Sequence, residues 1–387
     1  MADKMVKTKI AHIICTYPPY RGGMGKVARE DARQLVSHGY DVTVFTPWYK
    51  YLQTLPRSEN DNGVQVRRLT GWLQFGNAAV LPGLLWSLRK FDIIHLHYPF
   101  YGATISSILA KLFWRKPLVV HYHMDNIAGG IKGSIFQLWR YLILPQVLKV
   151  ATKIVVHSQD YAFNCQSSWW FRHWHKKIVV IPNGVDTKFY HPVIDLAAKM
   201  KNKPRQLLFV GALDKAHYFK GLPVLFNALH NLQQSDWRLA VVGNGDMADY
   251  YRELAKRFRL EDKINFHHEV SDEQLRDFYS HSYLTILPST TSGEAFGIVL
   301  IESMACQTAV VATNLAGVRS VVKDEQTGSL VPPNDEEALR VKLDYLLDQE
   351  ALVEEMSMRA CQQAKNKYDW NIIGKQLDKL YADLLNK

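Results

Sequence analysis

What most constrains this chain is a strand–helix rhythm that runs twice. Short apolar runs alternate with helical stretches: Lys9–Cys15, Asp41–Thr46, Ile93–His97, Leu118–His121, Lys153–His157 and Lys177–Ile181. These runs are near-continuously apolar, the pattern of strands covered by helices on both faces, hence of a parallel sheet. A polar stretch, Asp195–Pro204, reads as a linker. The rhythm then restarts with Gln206–Gly211, Arg238–Gly243, Lys263–Phe266, Leu284–Leu287 and Ala309–Ala312. At 387 residues the chain is too long for one ordinary core. The expectation is an α/β protein of two Rossmann-like, doubly wound domains facing a cleft, residues 1–190 and 191–367. An amphipathic helix fills 368–387.

Charge is divided unevenly between the two halves. Residues 1–190 carry 24 Lys and Arg against 10 Asp and Glu, a balance of +14, and the rest carries 23 against 27, or −4. A basic half calls for an acidic partner such as a membrane surface or a phosphorylated lipid. Nucleic acid is set aside because no nucleic-acid module accompanies the charge. The greasiest stretch, Phe136–Val150, is broken by Arg140, Pro145 and Lys149 and is too short to span a bilayer. Aromatics mixed with cations in Trp169–Lys177 suit a headgroup layer, or equally a packed surface helix. The first residues hold no apolar leader, and Cys15, Cys165, Cys306 and Cys361 lack metal or C-x-x-C spacing. The expected location is the cytoplasm, with peripheral contact at the inner face of the cytoplasmic membrane.

Two carboxylates, Glu294 and Glu302, stand seven residues apart after the apolar run that ends at Pro288. The first falls on a strand-to-helix loop and the second inside the helix. Phe296, Gly297 and Ile298 would then set backbone N–H groups at a helix N-terminus, where an anion is favoured. Carboxylates flanking a phosphate cradle suit a pyrophosphate with hydroxyl-rich groups at each end, as in a nucleotide-sugar.

Gly22 and Gly23 open the first helix, and Gly23-x-Gly25-x-x-Ala28 matches a dinucleotide fingerprint. That fingerprint needs an acid at the end of the second strand, and Phe45-Thr46-Pro47 offers none. The loop is left as a phosphate or sugar approach, or a tight turn. Lys220 follows Gly211 and Lys215 on the loop after the second half's first strand, where cations would neutralise a leaving diphosphate. Taken alone, Lys220-Gly221 is ordinary turn chemistry. His123 ends a strand, with Asp125 two residues on, as a candidate to hold a sugar hydroxyl. No D-x-D and no His pair at helical spacing argues for a metal.

Taken together these stretches resemble the family-4 retaining glycosyltransferases of the two-Rossmann glycosyltransferase-B (GT-B) fold, over nearly the whole chain. The resemblance is carried by Leu287-Pro-Ser289 through Glu294–Ala305 to Val310–Ala312, Gly317 and Gly328–Val331. Ile181–Asp186, and Pro18-Pro19 with Gly22-Gly23, add to it. It implies transfer of a hexose from a UDP- or GDP-sugar to a lipid-linked or anionic glycan acceptor, without metal or cofactor. Glu294, His123 and Lys220 would be catalytic. Gly22, Gly23, Gly211, Lys215, Gly243, Phe296, Gly297, Ile298 and Glu302 would bind the donor; Tyr17, Arg21 and Asp125 are acceptor-side candidates. The terminal helix would cross back to the first domain. Two departures stand out: Ala212 where arginine is common, and Gln307 where glycine is frequent. A nucleotide-sugar hydrolase or epimerase is the rival enzyme, and a non-catalytic binding protein on a degenerate transferase fold is the rival from another class.

Overall fold

The computed structural model describes residues 7–20, 22–49, 54–75 and 78–386. The chain divides into two compact units, one of residues 1–183 with 370–387, the other of 184–369. The sequence boundaries were drawn at 190/191 and 367/368; the division falls at 183/184 and 369/370.

The first unit holds β1 (Lys9–Ile13), β2 (Asp41–Pro47), β3 (Ser58–Asp61), β4 (Val64–Leu69), β5 (Trp72–Phe75), β6 (Ala78–Val80), β7 (Ile93–Tyr98), β8 (Leu118–Tyr122), β9 (Lys153–Val156) and β10 (Ile178–Val180). Eight of them form one sheet in the order β10-β9-β8-β7-β1-β2-β4-β3. It is parallel except for the edge strand β3, which runs antiparallel to β4. Ile10, Ile93, Ile94, Val119, Val120, Ile154 and Val155 are fully buried, as helix cover on both faces requires. The β3–β4 hairpin escaped sequence reading because Ser58-Glu-Asn-Asp61 is wholly polar. Its partner buries alternate side chains, Val64, Val66 and Arg68, the last paired with Glu59 at 2.6 Å.

The terminal helix Trp370–Leu385 belongs to this unit and lies along the helix Gly23–Ser37. Gly374 permits the approach, since a Cβ there would stand 2.5 Å from Gln34 Oε1. The Tyr40 hydroxyl donates to Asp378 at 2.9 Å, and the fully buried Tyr381 reaches the sheet.

The second unit is a six-stranded, wholly parallel sheet: β11 (Arg205–Val210), β12 (Trp237–Val242), β13 (Ile264–His267), β14 (Leu284–Leu287), β15 (Ala309–Thr313) and β16 (Gly328–Val331). Its order is β13-β12-β11-β14-β15-β16. Alternate residues serve opposite cores: Leu207, Phe209, Leu239 and Val241 one way, Leu208, Val210, Ala240 and Val242 the other. The order reverses between β11 and β14, so the loops after these two neighbours open side by side. That is where open α/β sheets bind ligands. The expected linker 195–204 is a correction: Leu196–Lys201 is a helix, capped by Asp195 accepting from Ala198 N–H, with Lys199 and Met200 buried.

Candidate active site

The loop after β11 carries Gly211, Ala212 and the 3-10 turn Lys215–Lys220. The loop after β14 carries Ser289 to Gly297 and leads into the helix Ile298–Ala305. They are tied together. Thr290 N–H donates to Phe219 O at 2.7 Å, and Gly221, with φ +75°, lies so close to Pro288 that a Cβ would stand 1.9 Å from its carbonyl oxygen. This juxtaposition brings Lys220 to Glu294, Nζ to Oε2, at 2.6 Å. Ser289 Oγ donates to the same oxygen at 3.3 Å. Glu294 is 8% exposed, so its charge is held by these partners rather than by bulk water.

Glu302 lies one turn into the helix, 5% exposed, and accepts from the Tyr279 hydroxyl at 3.0 Å. Burial first, and the Glu302 charge second, hold the Tyr279 phenol well above its ordinary pKa, so it remains a donor. Gly297 caps the helix at φ +83°, a left-handed conformation that glycine adopts at least cost, and no side chain caps the first N–H groups. Phe296 is a core side chain, edge-on to Tyr368, so only its backbone could meet a ligand. Gly211 and Gly243 end β11 and β12 and extend their ladder, donating to Val242 O and His267 O. Lys215 is exposed on the 3-10 turn beyond Ala212, whereas His217 is bonded through Nδ1 to Asp214 at 2.8 Å. The structure thus gathers Lys220, Glu294, Glu302 and the helix N-terminus on neighbouring loops of one unit.

The first unit treats its candidates less evenly. Gly22 and Gly23 do stand at the start of the helix Gly23–Ser37. Tyr17, expected on the acceptor side, is buried and gives its hydroxyl to Asp61, which also pairs with Arg29 and Arg33. Asp125 is consumed as well: it accepts from Tyr122, Ser167 and the Gln166 N–H. Both side chains are thus hydrogen-bonded within the first unit. Arg21 lies outside the described residues.

His123 has neither ring nitrogen free for a sugar hydroxyl. Its Nε2 meets His97 Nδ1 at 2.9 Å and its Nδ1 meets His157 Nε2 at 3.1 Å. His97 Nε2 continues to His12 Nδ1 at 2.9 Å, and His12 Nε2 to Tyr381 at 3.3 Å. With His95 and His121, six buried imidazoles line one face of the sheet. Burial holds all six below the ordinary histidine value, His12 and His121 at about 3. Burial also pushes Asp31, beside His121, up to about 8. Of these six, the sequence singles out only His123. The missed signal was the i, i+2 spacing of 95/97 and 121/123 within strands, which puts each pair on one face.

The comparisons agree with this architecture. Residues 21–189 match the model of Glycosyltransferase Family 4, and 194–367 that of Glycosyl transferases group 1. A phosphatidyl-myo-inositol mannosyltransferase of Mycobacterium tuberculosis is 32% identical over 80% of this chain and 78% of its own. An uncharacterized glycosyltransferase of Methanocaldococcus jannaschii is 27% identical over 96% and 97%. Among solved structures, sucrose-phosphate synthase from Thermosynechococcus elongatus superposes with a TM-score of 0.80 at 23% identity, covering 98% of this chain and all of that one. Anabaena HepE in complex with UDP-glucose gives 0.78 at 19%, covering 97% and 99%. The chain is a glycosyltransferase of family 4, built on the GT-B fold.

Proposed function

We propose that this enzyme is a retaining, metal-independent hexosyltransferase that takes its sugar from a UDP- or GDP-linked donor. The observation that carries the reading is the Lys220–Glu294 pair beside the helix N-terminus, with Glu302 one turn further along. Lys220 and the uncapped N–H groups of the helix offer positive charge to a diphosphate. Glu302 offers a carboxylate to a ribose, and Glu294 one to the sugar. The acceptor hydroxyl would attack the anomeric carbon on the face the diphosphate leaves, and a diphosphate oxygen would take its proton. Catalysis would rest on positioning and on stabilising the leaving charge. The UDP-glucose complex of the Anabaena neighbour and the mannosyl transfer in the mycobacterial relative's name support a nucleotide-hexose donor.

The acceptor we infer is lipid-linked or anionic. Support comes from the basic first 190 residues and from relatives named for phosphatidylinositol and inositol-phosphate substrates. The helix Gly130–Leu142 supports a reading of peripheral membrane contact. Ile131, Ile135, Leu138 and Leu142 form an i, i+4, i+7, i+11 stripe, each more than half exposed. Among the described residues no helix is long and apolar enough to cross a membrane.

Product analysis tests the proposal. With UDP- and GDP-hexoses and phosphatidylinositol-bearing vesicles, the expected product is a glycolipid that keeps the donor's anomeric configuration by NMR. Free hexose alone would make the enzyme a hydrolase, and an inverted linkage would remove the retaining assignment.

A further inference from the structure

The six-histidine face holds more than a hydrogen-bonded chain. His121, His123 and His157 each bring one ring nitrogen within 4.8 Å of the other two. They are 2%, 5% and 4% exposed, on the carboxyl ends of the adjacent strands β8 and β9. What sets this trio apart is the second nitrogen of each ring. His121 Nδ1 faces the buried Asp31 carboxylate, 3.4 Å away. His123 Nε2 is held by His97. His157 has a hydrogen bond with the Ile181 backbone. In metal-bound imidazoles the nitrogen away from the ion commonly faces a carboxylate, a carbonyl or another polar group.

Two further observations point to an ion. The 3.4 Å approach of His121 Nδ1 to Asp31 Oδ2 falls outside hydrogen-bond geometry, and neither His121 nitrogen nor Asp31 Oδ2 has a hydrogen-bond partner among the described residues. Orphaned polar atoms this deep are costly unless something satisfies them. His123 Nδ1 and His157 Nε2 are 3.1 Å apart, close to the roughly 3.3 Å between two nitrogens on a tetrahedral zinc with bonds of about 2.0–2.1 Å. His121 would approach the pair by no more than about 1.5 Å. The other trio, His95, His97 and His121, is weaker, because both nitrogens of His97 are already bonded to histidines outside it.

We infer that His121, His123 and His157 bind one zinc-class divalent cation, with Asp31 orienting His121. Three neutral imidazoles suit Zn2+ and its late first-row neighbours rather than Mg2+ or Ca2+, which prefer oxygen. The ion would clip the ends of β8 and β9. It has no part in the diphosphate chemistry proposed above, so metal binding is read without an activity assay.

The test uses untagged full-length protein, stripped with chelator and titrated with Zn2+ and with Co2+. The expected result is one equivalent bound, visible d–d bands of tetrahedral cobalt, and a rise in Tm with Zn2+. His157→Ala should remove the cobalt bands. Asp31→Asn should weaken Zn2+ binding about 10–100-fold while leaving the bands in place. If a variant fails to fold, the wild-type spectrum decides. Absence of both the cobalt bands and zinc stabilisation in wild type, or identical binding in a folded His157→Ala protein, overturns the assignment.

Discussion

Lys220 Nζ and Glu294 Oε2 lie 2.6 Å apart on loops that follow neighbouring strands, β11 and β14. The pair is largely shielded, with side chains 16% and 10% exposed. An arriving diphosphate would compete with Glu294 for the ammonium. Lys220→Met should therefore weaken nucleoside-diphosphate binding by about 10–100-fold, the worth of one charge-assisted hydrogen bond. Calorimetric titration of UDP and GDP checks this; equal affinity in variant and wild type would remove Lys220 from the donor site.

Glu302 and Tyr279 form the second coupled contact, at 3.0 Å. Glu302→Ala is expected to lower donor affinity at least tenfold, because a hydrogen bond to a charged acceptor is worth about 1.5–3 kcal/mol. Tyr279→Phe keeps the carboxylate but releases its orientation, so its loss should be smaller. The order of the two dissociation constants by calorimetry is the readout, and Tyr279→Phe binding more weakly than Glu302→Ala would contradict it.

Gln307 explains one departure from the family pattern. It sits just past the end of the helix Ile298–Ala305 with φ +57°, the left-handed position that glycine fills at least cost. Gln307→Gly is expected to leave stability unchanged or raise it by up to about 1 kcal/mol. Urea unfolding measures this, and a loss greater than about 1 kcal/mol would show that the glutamine side chain matters more than its backbone.

Burial lowers the Lys199 ammonium to about 7, although it donates to Gln307 O and Thr308 Oγ1. The unfolded chain holds that proton up to about pH 10.4. Between roughly pH 7 and 10 the unfolded state therefore binds more protons, and this residue's contribution to stability rises with pH. Below pH 7 both states are protonated and the contribution is flat. Lys199→Met should thus become more destabilising relative to wild type from pH 7 to 9, by up to about 1.4 kcal/mol per unit. Paired urea titrations at the two pH values show it; a pH-independent difference would mean that Lys199 keeps its ordinary pKa.

Much of the fold was readable because parallel strands covered on both faces are continuously apolar, and all six strands of the second sheet but β16 were legible as such runs. The hairpin β3–β4 was hidden by its polar edge strand, and the helix Leu196–Lys201 by a lysine whose burial no local pattern announces. In the site, Glu294, Glu302 and Lys220 could be picked from spacing and strand-end position. The contacts of Tyr17 with Asp61 and of Asp125 with Ser167 were not legible, because they span 44 and 42 residues. The imidazole face was missed for the same reason: its members come from four strands, and only the sheet order brings them together.

The most direct test of the account is the transfer rate of Glu294→Gln. This substitution keeps the side-chain shape and a carbonyl for Lys220 while removing the charge. With circular dichroism and Tm matching wild type, the account predicts a loss of sugar transfer of at least about 100-fold, the scale of a removed electrostatic contact at a reacting centre. A folded variant that transfers within tenfold of wild type would contradict it.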